Sequence, residues 1–227
     1  MVRRWVRVGL WSLLGMLCCA SGARGAEFDS QLWTQYNFHV QHRDRFRLLV
    51  DFNFRWGDNY GRTSQVVVRA TAGYQLRRNL SLWIGHAWTP TFIPEFNSED
   101  RWFPQVLLED RYPWGQMINR TRLEFRAIAG AGGTSVRLRH LLRFSRPVDR
   151  AKRWSAIVWD ELFWNLNSTP AGPEAGFDQN RIFLGVGYTI DQHTRVDLGY
   201  MANHINPPRN RPDRHLDVLW ITMNYSL

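Results

Sequence analysis

Residues Asn119–Ala127 read NRTRLEFRA, with Arg120, Arg122, Glu124 and Arg126 at every second position. On a helix these four charges would scatter around the axis. On a strand they share one face, with Asn119, Thr121, Leu123, Phe125 and Ala127 on the other. A strand of this kind suits a nucleic-acid surface, the polar face of a soluble sheet, or the water side of a barrel wall whose other side meets lipid. The rest of the chain decides among these.

The next segment repeats the pattern: Arg137, Arg139 and Arg143 oppose Val136, Leu138, Leu142 and Phe144. In RFRLLVDFNFRW, Phe46, Leu48, Val50, Phe52 and Phe54 alternate with Arg45, Arg47, Asp51, Asn53 and Arg55. Segments beginning near Gln31, Gln65, Leu80, Arg101, Trp154, Asn180, Thr194 and Leu216 alternate likewise, and no stretch keeps a helical apolar stripe. Eleven candidate strands result, each of roughly ten residues, the length of a tilted strand that crosses a bilayer. Tight turns at HRD, RRN, PWG and DQH alternate with the longer connections TPTFIPEFNSED, NSTPAGPEAGFD and HINPPRNRPDR. Short turns at one end and long loops at the other are the habit of outer-membrane barrels. Such barrels close with even strand numbers and keep both termini on the periplasmic side. Twelve strands are therefore expected, with ten as the alternative, and Pro90, Pro94, Pro104 and Pro113 place the uncertain count within 89–116.

An arginine at the lipid midplane costs roughly 2–4 kcal/mol. The apolar parity must then face lipid, and the charged parity must face the lumen. This predicts a closed antiparallel transmembrane β-barrel over residues 26–227 with a polar, arginine-rich lumen. Its charge ladder comprises Arg47, Asp51, Arg69, Glu109, Arg111, Arg120, Arg122, Glu124, Arg126, Arg137, Arg139, Arg143, Arg181, Arg195 and Asp197. A narrow barrel filled by such pairs would be plugged, and a wider one would be a polar channel.

Residues 1–25 read as a cleaved export signal. Arg3, Arg4 and Arg7 precede the apolar run Val8–Ala20, and Ala23 and Gly25 set cleavage before Ala26, with cleavage after Gly22 as the alternative. Both cysteines, Cys18 and Cys19, lie in this segment, so the mature chain has no thiolate chemistry and no disulfide. The formal charge of the 227-residue chain is +9. Removing the signal takes away four arginines and no acid, which leaves 25 basic residues against 20 acidic ones, or +5. Aromatics make up 14% of the chain, with 12 tryptophans, more than a soluble core of this size needs. The alternating terminal segment Leu219, Ile221, Met223, Tyr225 and Leu227 has the form that barrel-assembly machinery reads.

Catalysis, cofactor binding and metal binding find no support. None of the seven histidines sits in a His-x-Ser pattern, and His204 in a loop is the nearest approach to a lipid-hydrolysing site. His86 and His140 fall on the lipid parity and are expected at strand ends. Asp160 and Glu161 are adjacent, so a strand points them to opposite faces, and one is expected to pair with a lumenal arginine. No ligand spacing for a metal is present. Nucleic-acid binding would need aromatics interleaved with arginines on one face, whereas here the aromatics mostly take the opposite parity.

NRTRLEFRA, VRLRHLLRFSRP, WDELFWNLN, FDQNRIFLGVGY and RVDLGYMANH, in that order, resemble a bacterial family of exported proteins catalogued as domain of unknown function 2490. The resemblance spans roughly Phe28 to Leu227. It implies an outer-membrane-like barrel and export, and it carries no activity or catalytic residue. The expected function is a non-catalytic structural or transport-type barrel in the outer membrane. Its expected partners are outer-membrane lipid, the assembly machinery and an anionic solute. A lipid-modifying barrel enzyme and a soluble periplasmic β-sandwich are the alternatives.

Overall fold

The computed structural model describes residues 26–42, 45–209 and 211–227; the segment read as an export signal lies outside the described residues. The described chain is all-β. Its strands are β1 (Glu27–His42), β2 (Phe46–Gly57), β3 (Arg62–Arg77), β4 (Leu80–Thr91), β5 (Asn97–Tyr112), β6 (Gly115–Ile128), β7 (Thr134–Pro147), β8 (Trp154–Asn165), β9 (Gly176–Thr189), β10 (Thr194–Ile205) and β11 (Arg214–Ser226). Each strand pairs antiparallel with its sequence neighbour, and β1 pairs with β11 to close the barrel.

Eleven strands, not twelve, make the wall. An odd count brings the first and last strands together in parallel, from Glu27 opposite Arg214 to His39 opposite Ser226. A parallel ladder pairs the backbone of both edges as an antiparallel one would, so closure needs no further strand. The direction of β1 also puts Glu27 at the end that carries the connections 58–61, 92–96, 129–133, 166–175 and 206–213. The carboxyl terminus lies at the other end, with the connections 43–45, 78–79, 113–114, 148–153 and 190–193. These are called below the long-loop end and the short-turn end.

The proline-rich region hides no extra strand. Most of the expected loop 89–100 is extended, since β4 continues to Thr91 and β5 starts at Asn97. Pro104 sits inside β5, where the pairing to β6 passes from Trp102–Phe125 to Gln105–Arg122 and skips the two residues between. The missing N–H falls in that gap, so the strand tolerates the ring.

Alternation fixes which way each side chain points. Phe46, Ile84 and Leu184 stand outward and are 56%, 61% and 67% exposed. The outer wall is thus apolar along most strands, with outward hydrogen-bonded pairs at His86–Asp100, Thr121–His140 and Asp160–Asn180. His86 and His140 lie at mid-strand, not at strand ends, and each is held by a polar neighbour.

The interior departs from the purely polar expectation. Trp33, Ile157, Trp159, Phe183, Met201, Leu216 and Val218 form a buried cluster inside the barrel, and Val67, Ala87 and Phe103 form a second. Trp159 and Phe183 stack at 5.1 Å, and Trp220 meets Trp159 edge-on at 5.3 Å. Phe183 lies over the cross-strand pair Gly185–Gly199: a Cβ on Gly199 would stand 2.6 Å from its ring and 2.4 Å from the Leu184 carbonyl oxygen. Glycine there lets the ring lie flat against the wall.

Candidate functional site: the arginine-lined lumen

Strands β5 to β9 bring the densest charge together. On β6 and β7 the inward positions fall opposite each other, with Arg122 facing Arg139 and Glu124 facing Arg137. Two carboxylates organise the centre. Glu124 accepts from Arg137 Nε and Nη2 at 2.9 and 2.6 Å and from Arg139 Nη1 at 3.2 Å. Glu161 accepts from Arg139 Nε and Nη2 at 2.7 and 2.9 Å and from Arg120 Nη2 at 2.6 Å, with Arg181 at 3.8 Å. Both carboxylates are 1% exposed. Removing an ion from water costs several kcal/mol, so such charges persist only where multiple charge-assisted hydrogen bonds meet them. The guanidinium fork, with five donors, suits this sharing of one carboxylate among several arginines.

Aromatic rings complete the lattice. Arg122 lies 3.9 Å from the Phe103 ring centroid, Arg139 and Arg181 both lie 4.6 Å from that of Phe163, and Arg55 lies 3.7 Å from that of Trp33. The rings therefore serve as cation–π faces as well as filler. Arg122 also donates twice to Gln105 Oε1, at 3.0 and 2.7 Å.

This layer lies between two cavities of the lumen. Trp33, Phe103, Phe163, Met201, Glu124 and Glu161 are almost fully buried, and one cavity lies toward each end of the barrel from them. The larger, about 560 Å³, occupies the short-turn half. Arg47, Arg69, Arg111, Arg120, Arg122, Arg139 and Arg143 line it against Asp51, Glu109, Glu161 and Asp197, so cations exceed acids by three. Its apolar floor is Trp159, Phe183, Trp220 and Leu141. The smaller, about 250 Å³, lies in the long-loop half. Arg139 lines both.

The residues of the charge ladder thus fall into three groups. Arg120, Arg122, Glu124, Arg137, Arg139 and Arg181 form the central lattice. Arg126 binds Glu99 nearer the long-loop end, at 2.5 and 3.1 Å. Toward the short-turn end lie Asp51–Arg69 at 3.0 Å, Arg47–Glu109 at 3.7 Å, Asp197 with Arg143 and Arg195 at 2.8 Å each, and Arg111 at the cavity wall. Glu161 is the inward member of the Asp160–Glu161 pair, and Asp160 points out to Asn180.

The ladder omits several members of the network. Glu99, Arg101 and Asp178 lie in or beside stretches that read as loops, although the alternation of Glu99, Arg101 and Phe103 was visible. Arg55 stands on the charged parity of β2 but belongs to the lattice only because Trp33 and Gln65 lie beside it in space. His204 lies in β10, not in a loop, beside aromatic and acidic neighbours: it stacks on Phe177 at 5.7 Å, approaches His215 at 4.7 Å, and lies 3.9 Å from Asp213.

A family model described as a protein of unknown function (DUF2490) matches residues 30–214, and the chain belongs to that family. An uncharacterized protein of Methylorubrum extorquens is 31% identical over 199 residues, covering 83% of this chain and 86% of the relative. No solved structure matches the chain.

Proposed function

We propose that this member of the DUF2490 family is an exported outer-membrane β-barrel without catalytic chemistry, whose lumen holds an anionic solute instead of conducting it. The observation that carries the reading is the inside-out polarity of a closed wall: large apolar side chains point outward, and paired charges with an excess of arginine point inward. A soluble barrel would reverse that order. The apolar outer band supports contact with lipid, and the alternating end of β11 supports recognition by the barrel-assembly machinery. The larger cavity is the favoured place for the solute, since the arginines on its lining outnumber the carboxylates and attract anions, and its aromatic floor accepts an apolar portion. The filled midsection argues for holding, because a steady current would need a water path past Arg139 and Phe163.

Two measurements test this. Native protein should fractionate with outer membranes and run at a different gel mobility unheated than boiled; release into salt without detergent would sink the reading. In a planar bilayer the native barrel should be silent, while Arg139→Ala, which removes the side chain shared by both cavities, should give anion-biased steps. Steady channels from the native protein would overturn the occluded lumen.

A further inference from the structure

The smaller cavity holds more positive charge than its own pairings account for. Arg55 enters it from β2, where its Nε donates to Asn53 Oδ1 at 2.6 Å and its Nη1 to Gln65 Oε1 at 2.5 Å. Both acceptors are neutral amides, and among the described residues no carboxylate forms an ion pair with Arg55. Arg181 enters from β9. It donates to Gln179 at 3.1 Å, and the acid nearest to it, Glu161, stands 3.8 Å away and already serves Arg120 and Arg139. Asn203 lies opposite Arg181 on the β9–β10 ladder, is 2% exposed, and has no hydrogen-bond partner for either amide atom. Arg181 Nε is buried and unpartnered as well. A folded protein seldom leaves a half-buried guanidinium without a counter-charge, or both atoms of a buried amide without partners. The Trp33 ring explains how the two guanidiniums stay in place, since both lie over it, at 3.7 and 5.0 Å.

We infer that this chamber is a binding site for a tetrahedral oxyanion of the phosphoryl class, held between Arg55 and Arg181 with Asn203 as a further donor. A carboxylate offers two oxygens in one plane. A phosphoryl group offers three or four in different directions, and the donors here come from different walls of the barrel. The volume, about 250 Å³, takes a phosphate or a small phosphate monoester. The inference rests on reading the lumen as an anion-holding interior and is independent of where the barrel resides.

The test uses the full barrel, folded in detergent and titrated calorimetrically with inorganic phosphate in low-chloride buffer. Saturable binding is expected, weakened at least tenfold by Arg55→Gln. Asn203→Asp keeps the side-chain size and puts a carboxylate beside Arg181. It should abolish phosphate binding and raise the thermal unfolding midpoint of the phosphate-free barrel, an outcome that a misfolded variant would not give. Competition by glycerol phosphate would support a monoester as the occupant, and phosphate binding without such competition would support the free oxyanion. Absence of saturable phosphate binding, or equal affinity in the native, Arg55→Gln and Asn203→Asp barrels, would overturn the inference. A salt-soluble protein that binds phosphate through Arg55 would sink the membrane reading alone.

Discussion

Replacing Glu161 by glutamine separates the charge lattice from simple packing. The carboxylate takes three short hydrogen bonds from Arg139 and Arg120, at 2.6–2.9 Å, and Arg181 stands at 3.8 Å. At an effective dielectric constant near 20, each cation at about 4 Å contributes about 4 kcal/mol of attraction. The sum overstates the loss, because the substitution also relieves the desolvation cost of the carboxylate. Removing one partner of a buried pair costs about 3–5 kcal/mol, and that is the expected destabilisation here. Glutamine keeps an acceptor oxygen and nearly the same volume, so the loss reports charge. Asp160 gives the control from the adjacent position. It faces outward and accepts only from Asn180 Nδ2 at 2.9 Å, so Asp160→Asn removes a charge from the outer wall and should leave the barrel at least as stable as the native one. Urea unfolding of the barrel in lipid vesicles, followed by tryptophan fluorescence, measures both. A double variant with Arg120→Gln should cost less than the sum of the two single changes, because one uncompensated cation is then gone. Equal effects of Glu161→Gln and Asp160→Asn would refute the placement of the lattice.

Two further substitutions test the wall. Leu184→Arg puts a charge at an outward mid-strand position that is 67% exposed; in lipid vesicles it should cost roughly 2–4 kcal/mol, and an unchanged urea midpoint would argue that no lipid lies there. Gly199→Val would push a side chain into the Leu184 carbonyl and the Phe183 ring and should cost toward the upper end of about 1–3 kcal/mol. Gly187→Ala, whose nearest neighbours are the movable ends of Arg195 and Asp197, should cost less, and the order of the two urea midpoints decides the point.

Much of this architecture was legible because a strand has a period of two. In NRTRLEFRA the alternation separates Arg122 and Glu124 from Leu123 and Phe125 whatever the rest of the chain does. The same rule split Asp160 from Glu161 and gave one of the two a lumenal arginine; the structure makes Glu161 that one. It failed where local chemistry misled. Pro90 and Pro104 made β4 and β5 look broken, so Glu99 passed for a loop residue and Arg101 for the edge of a strand, yet Pro104 falls where the β5–β6 ladder lapses. The even-strand rule also misled, since it assumes antiparallel closure, and β1 and β11 close in parallel.

The sequence by itself determined that the chain is a series of two-faced strands, because parity depends only on neighbouring residues. It also determined that one face is rich in arginine. Tertiary structure alone decided that Trp33, Phe103 and Phe163, which share that face with the charged residues, meet the arginines across the lumen and fill the barrel's centre. Whether a barrel is open or plugged depends on its diameter, its register and the side chains that meet across the lumen, and strands far apart in the chain supply those together. The same convergence left Arg55 and Asn203, 148 positions apart by their residue numbers, in one small cationic chamber.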